Sequence, residues 1–280
     1  MLFLTRRFTS ATRVLRAAFG LFAALPVAAL LGHPEIEAAL TRLNAEIAVT
    51  PASAAHYLER GDLYAKHHEW VLAEANYLRA AELEPSLPRL DCARGSLAYA
   101  TGSLREARAH FDRALTLNPR DAEALILRSR VRTKLNDRAG ALADLNAGLQ
   151  TLVNPRPELF LERAALLPSA VDAIRSLDAA IAQVGPIHTL QLRALELAEA
   201  AGLVDAALAR LDSIAAHSER KETWLKRRGD VLARAGRVAE ARDAYAQALA
   251  AIAALPDWLR ESPDAARLSG ELTQLTPTTS

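Results

Sequence analysis

The chain has 280 residues, of which 34 are basic and 33 acidic, and its net charge of +1 offers no global attraction to nucleic acid. Hydrophobic residues reach 51% with only 5% aromatics, while 24% charged residues, 12 Gly and 13 Pro exclude a disordered or collagen-like chain. A single cysteine, Cys92, excludes an internal disulfide framework and any multi-thiolate metal site; in a helical pattern it is expected to be buried.

Residues 1–32 stand apart. Arg6, Arg7, Arg13 and Arg16 precede the uncharged run 17–32 (AAFGLFAALPVAALLG), and no acid occurs in either part. A basic start, an apolar run and small residues at Val27-Ala28-Ala29 behind Pro26 fit a secretory signal peptide. The run is shorter than the ~20 apolar residues a membrane span needs. Export to a bacterial periplasm or medium is the expectation, with a retained anchor or an organellar transit peptide as alternatives. Loss of the four arginines would leave a weakly acidic mature chain with no stable membrane span.

From residue 33 the pattern is helical. Residues 34–48 (PEIEAALTRLNAEIA) predict one helix, and Ala39, Leu43 and Pro51 make 33–53 read as half of a repeat. The full unit follows. Pro85 and Pro119 lie 34 residues apart, and before each stand Ala80 and Ala114, Tyr77 and Phe111, Ala73 and Ala107, Gly61 and Gly95 at equal offsets. These define units 54–87 and 88–121. In 122–156 the slots hold Ser129, Ala141, Leu145 and Gly148, with Pro155 delayed and Arg132 where an aromatic or leucine is usual.

The unit at 157–186 is short. Ala164, Ala173, Leu177 and Ala180 fit if three residues are missing from its first helix or turn, and this distortion together with the one in the next unit implies a local change of curvature. The unit at 187–221 fits with one extra residue before Ala207 and Leu211, and 222–255 restores the spacing with Gly229, Ala241, Tyr245 and Ala248. In 256–280, Trp258 is expected to seal the end, DAARLSGELTQL to form a capping helix, and TPTTS to fray.

Steric needs explain the slots. A small residue lets two antiparallel helices approach, the larger residue fills the gap between hairpins, and proline closes the second helix. Leu97, Leu104, Ala107, Phe111, Ala114 and Leu115 follow three- and four-residue steps, and Gly102, Gly202 and Gly236 mark left-handed turns. Trp70 and Tyr77 belong inside the stack, and Trp224 packs on the preceding hairpin.

The fragments LERGDLYAKHHEWVLAEANYLRAAELEP and DVLARAGRVAEARDAYAQALA resemble the tetratricopeptide repeat family. The resemblance spans 34–255 and implies an all-α solenoid: about six helix–turn–helix repeats over 54–255, a right-handed superhelix, terminal capping helices and a concave groove lined by first helices. It directs Glu59, Asp62, Lys66, Arg89, Ser96, Tyr99, Arg130, Lys134, Gln191, Lys226, Arg227, Asp230 and Arg234 towards that groove. Arg89, Arg130, Lys134, Lys226, Arg227 and Arg234 would accept an acidic extended segment or a terminal carboxylate. Leu58 and Asp62 stand where some family members hold chaperone C-termini with Lys and Asn, so that specificity is not carried over.

No catalytic set is present in the sequence: it lacks a Gly-rich phosphate loop, a GxSxG elbow and an HExxH helix. His67 and His68 are adjacent in a turn, a poor chelate, and Glu59/Asp62 and Glu219/Glu222 read as surface charges or caps. The sequence therefore predicts a non-catalytic scaffold with no cofactor or metal and a protein or peptide partner. The alternative is an envelope-associated structural or assembly factor acting through its convex surface.

Overall fold

The computed structural model describes residues 34–276, and every regular element among them is an α-helix. The charged and apolar run 1–32, with its cleavage-like Val27-Ala28-Ala29, and tail residues 277–280 lie outside the described residues. Helix α1 (Pro34–Val49) is single, and the next twelve helices come in sequential pairs. These are α2 (Ala54–Lys66) with α3 (Trp70–Leu83), α4 (Leu90–Ala100) with α5 (Leu104–Leu117), and α6 (Ala122–Lys134) with α7 (Arg138–Thr151). Then come α8 (Pro157–Leu166) with α9 (Ala170–Val184), α10 (His188–Ala200) with α11 (Val204–Ala216), and α12 (Glu222–Arg234) with α13 (Val238–Ala253). The short α14 (Asp257–Arg260) leads into α15 (Pro263–Leu275).

Local chemistry sets the ends. Asp121, Asp137, Ser169 and Ser262 accept backbone N–H bonds from Ala124, Gly140, Asp172 and Ala265 at 3.1, 3.0, 3.0 and 3.3 Å, satisfying donors that a helix start leaves orphaned. Pro157 and Pro263 open α8 and α15, where a missing N–H costs nothing. Five pairs are joined by three-residue turns with a left-handed middle residue: His68 (φ 62°), Gly102 (84°), Asn136 (62°), Gly202 (67°) and Gly236 (76°).

The chain divides at His110, within α5, into two compact units. In the first, Ile36, Leu40, Leu58, Tyr64, Ala73, Tyr77, Ala80, Leu90 and Leu97 form the core, with Trp70 half-buried against it. The second has two clusters. One runs from Ala141, Leu145 and Phe160 through Leu177 to Leu190; the other joins Leu195, Leu211, Leu232, Tyr245 and Ile252 to Ala265 and Leu272 of α15. Each fully buried Leu or Phe contributes about 1.5–3 kcal/mol of apolar transfer.

Volume is matched between paired helices. A Cβ at Gly61 would overlap the Tyr77 ring, and one at Gly229 would overlap Tyr245. Ser129 and Leu145, both buried, share the same slots with intermediate volumes, and Leu195 and Leu211 divide the space equally. The last pair corrects the sequence register. Helices α10 and α12 have 13 residues each, and the turns after them have the same length, so 188–216 contains no inserted residue. Leu195 occupies the slot that Gly61, Ser129 and Gly229 fill in other pairs. The deficit in the unit at 157–186 falls in α8, which has 10 residues.

An arginine precedes the small slot in most first helices. Arg60 Nε donates to Asn76 Oδ1 of α3 at 2.8 Å and its Nη1 to Asn44 Oδ1 of α1 at 2.6 Å. Arg128 repeats the bridge in the second unit, to Asp144 of α7 and Asp112 of α5, and Arg228 reaches Asp212 of α11 at 3.0 Å. In the short pair, Arg163 donates to Ser176 Oγ and its carbonyl at 2.8 and 2.9 Å. These side chains tie each first helix to its own partner or to the preceding hairpin.

The ends differ from the sequence expectation in one respect. Ala265 and Leu272 of α15 close the C-terminal core, whereas Trp258 on α14 is 74% exposed and seals nothing. Four residues make too short a helix to press a ring onto α13 while α15 occupies that face. Cys92 is buried.

Candidate functional site

The first helices carry the residues that sequence reasoning assigned to a binding face, except Arg89, which stands just ahead of α4 as its N-cap with a left-handed backbone (φ 68°). In the first unit, Tyr77 buries its ring behind Gly61 and donates its hydroxyl to Asp62 Oδ1 at 2.8 Å. Burial pushes the Asp62 carboxyl above its usual range, opposed by that bond and by Arg89, whose Nη2 stands 3.5 Å away. Burial and the adjacent Asp62 likewise raise the Tyr77 phenol. Glu59 faces α1, pairing with Arg42 at 2.5 Å, so it bridges two helices rather than presenting a free carboxylate. Ser96 turns its hydroxyl back to the Cys92 carbonyl at 2.9 Å, Tyr99 is half-buried and Lys66 is exposed.

In the second unit the assigned residues separate into three places. Arg130 of α6 makes a bidentate pair with Glu162 of α8 at 3.1 and 2.8 Å, and Lys134 lies exposed one turn further on. Gln191 is 4% exposed inside α10 and lies on no surface, a correction to its groove assignment. Its helix-face position is covered by neighbouring elements that the sequence pattern does not reveal. Glu222, read as a surface charge, is fully buried at the start of α12, with Arg220 Nε at 2.6 Å from its Oε1.

Lys226, Arg227, Asp230 and Arg234 do come together. With Glu199 of α10, Thr223 and Ala233 of α12, and Tyr245 of α13, they line a cleft of about 530 Å³. Spacing of three, four and seven along α12 puts these side chains on one face. Arg227 forms a two-pronged pair with Glu199 at 2.9 and 3.0 Å, and these hydrogen bonds hold its guanidinium above its ordinary pKa. Asp230 accepts from Tyr245 Oη and Lys226 Nζ, both at 3.0 Å. Arg234 is 66% exposed, with Nη2 at 3.9 Å from Glu199. The cleft thus holds three cations against two carboxylates, and Arg234 is the cation bound least closely.

A second cleft of about 660 Å³, lined by Ser218, Arg220, Trp224, Arg267 and Leu268 among others, contains none of the assigned groove residues. Trp224 stands edge-on to His188 there, with ring centroids 5.6 Å apart. Sequence reasoning overlooked Glu199 and the two Tyr–Asp bonds. The recurrence of Arg60-Gly61-Asp62 and Arg228-Gly229-Asp230, each followed by a tyrosine in the next helix, was the available signal. Among the described residues no cluster of three or more His, Cys, Asp or Glu could hold a metal ion, and no helix is long and apolar enough to cross a membrane.

Residues 92–153 match a family model described as tetratricopeptide repeat, and residues 170–260 match one described as tetratricopeptide repeat-like domain; together they take in just over half of the chain. No curated protein sequence matches it. A tetratricopeptide repeat protein from Parabacteroides merdae is similar in structure, with a TM-score of 0.50 at 20% identity over 79% of this chain and 86% of that one. PilF of Pseudomonas aeruginosa gives 0.50 at 17% identity over 78% and 97%. At these identities the likeness carries the fold alone.

Proposed function

Because the chain is a tetratricopeptide repeat protein, we propose that it is a non-catalytic scaffold whose first helices bind a protein or peptide partner, with the Arg227–Arg234 cleft seating an acidic side chain. The observation that carries this reading is the excess cation of the cleft, Arg234, exposed and at 3.9 Å from its nearest carboxylate. An incoming carboxylate would gain a charge-assisted bond to a guanidinium that gives up little to receive it. Arg227 is already neutralised by Glu199 and serves to orient the cleft.

Fluorescence anisotropy with acidic, neutral and basic extended peptides tests the reading. Acidic peptides should bind tightest, weaken with salt, and lose about tenfold in affinity with Arg234→Glu, the equivalent of about 1.4 kcal/mol. Equal binding of all three classes, or indifference to Arg234→Glu, would refute it. Arg130→Glu is a poorer probe, since it also breaks the pair with Glu162.

The reading includes export. Its support is the sequence pattern of 1–32, four arginines ahead of an uncharged run. N-terminal sequencing of the chain from its native host should find a start near Leu30; a chain retaining Met1 would overturn this part.

A further inference from the structure

The pair α8/α9 is closed differently from the others. In the five remaining turns the third residue folds its N–H back into the first helix: Glu69 to Tyr64, Ser103 to Ala98, Asp137 to Arg132, Leu203 to Ala198 and Arg237 to Leu232, at 2.8–3.0 Å. Each of those turns satisfies its own helix end. Between α8 and α9 the turn is Leu167-Pro168-Ser169. Proline cannot take the left-handed φ of the middle position and has no N–H. Leu167 and Ser169 are extended, with ψ of 142° and 150°.

The last carbonyls of α8 are bound from elsewhere. Arg138, at the start of α7, donates Nε to the Leu166 oxygen at 2.6 Å and Nη2 to the Ala165 and Leu167 oxygens at 2.6 and 2.9 Å. The turn itself closes only the Ala164 oxygen, through the Leu167 N–H at 3.2 Å, and one exposed side chain of the preceding hairpin binds the carbonyls beyond it. The same hairpin holds α8 a second time, through Arg130 and Glu162.

We propose that the junction between hairpins α6/α7 and α8/α9 is a hinge and that Arg138 is its latch: with the guanidinium on the three carbonyls the short hairpin is fixed, and with it withdrawn α8 pivots against α7. The physical basis is that closure of this turn is shared between hairpins, so an event at one solvent-exposed side chain changes the restraint on a whole helix pair. The bonds to the Ala165 and Leu167 oxygens are exposed, so those carbonyls exchange the guanidinium for water at little cost when it withdraws.

Amide hydrogen exchange on the full chain, read by mass spectrometry, tests the latch. Arg138→Ala should speed exchange over 164–172 about tenfold, leave the self-closed turn at 235–237 unchanged, and have no counterpart in Arg175→Ala on the exposed side of α9. Arg138→Lys, with a point charge in place of a planar fork, should fall between. Spin labels at Ala143→Cys and Ala179→Cys, both exposed, report the hinge itself; their distance distribution should broaden in Arg138→Ala. Unchanged exchange would remove the latch. Faster exchange with an unchanged distance would make Arg138 a helix cap only and overturn the hinge. Should Arg138→Ala lose its helical fold, Arg138→Lys decides by the same two readouts.

Discussion

Arg128 grips both carboxylate oxygens of Asp144, Nε to Oδ2 at 2.8 Å and Nη2 to Oδ1 at 2.6 Å, while Arg132 adds Nη1 at 2.9 Å to the same Oδ2. The hydrogen bonds to Asp144 are the main reason the Arg128 guanidinium is held above its ordinary pKa. Arg132 stands where an aromatic or leucine is usual, and this buried carboxylate is what lets it do so. Asp144→Ala would leave two largely covered guanidinium groups without their buried counter-charge, Arg128 keeping only the more exposed Asp112 and Arg132 only Asp137 at 3.6 Å. A loss of about 3–5 kcal/mol is expected in urea unfolding, with Asp144→Asn retaining part of it because the amide oxygen still accepts. A loss below about 1 kcal/mol would show the cluster to be solvated.

Gly61 and Gly229 are set by the tyrosine each faces. Gly61→Ala and Gly229→Ala should each cost about 1–3 kcal/mol, since each ring is fixed by its hydroxyl bond to Asp62 or Asp230 and cannot step aside. Adding Tyr77→Leu or Tyr245→Leu should recover much of that loss, reproducing the natural Ser129–Leu145 match. Double-mutant cycles on thermal unfolding would read the coupling.

Asn136 occupies a left-handed turn position where three other turns carry glycine. Asn136→Gly should leave stability unchanged or raise it by up to about 1 kcal/mol, through relief of the Cβ penalty. A marked loss would mean that the Asn136 side chain supports the turn.

Burial, followed by the hydrogen bond to Asp230, pushes the Tyr245 phenol up to about 12, from an ordinary 10. The folded chain therefore keeps a proton that the unfolded chain releases above pH 10. The stabilisation is fully present below pH 10 and is lost as pH rises towards 12. Tyr245→Phe should flatten the alkaline limb of the unfolding midpoint between these values, while lowering stability at pH 7 through loss of the bond to Asp230.

The helix pairs were legible because their signals are steric and local. Ala73, Ala107 and Ala241 are all buried, and Pro85, Pro119, Pro155 and Pro256 follow helix ends. The bridging arginines were hidden because their acceptors change from Asn to Asp to Ser and lie some 13–16 residues away on other helices. At Leu195 and Leu211 the bulk is shared rather than given to one helix, so the first helix of that unit shows no small residue in that slot to fix its register, and the unit reads as carrying one extra residue before Ala207 and Leu211. The cleft was half legible. Spacing on α12 grouped Lys226, Arg227, Asp230 and Arg234, but Glu199 arrives from a different hairpin, and Gln191 shows that a first-helix position alone does not bring a side chain to the surface.

The arginine bridges also give the hairpins an order. Arg60 lies between two amides, Asn44 and Asn76, whereas Arg128 lies between two acids, Asp112 and Asp144. Exchanging the α2/α3 and α6/α7 segments would set each arginine between one amide and one acid and alter the charge balance at both places, so these modules are not interchangeable bricks. Any effort to shorten, lengthen or shuffle the chain has to transplant a hairpin together with the polar residues of its neighbours.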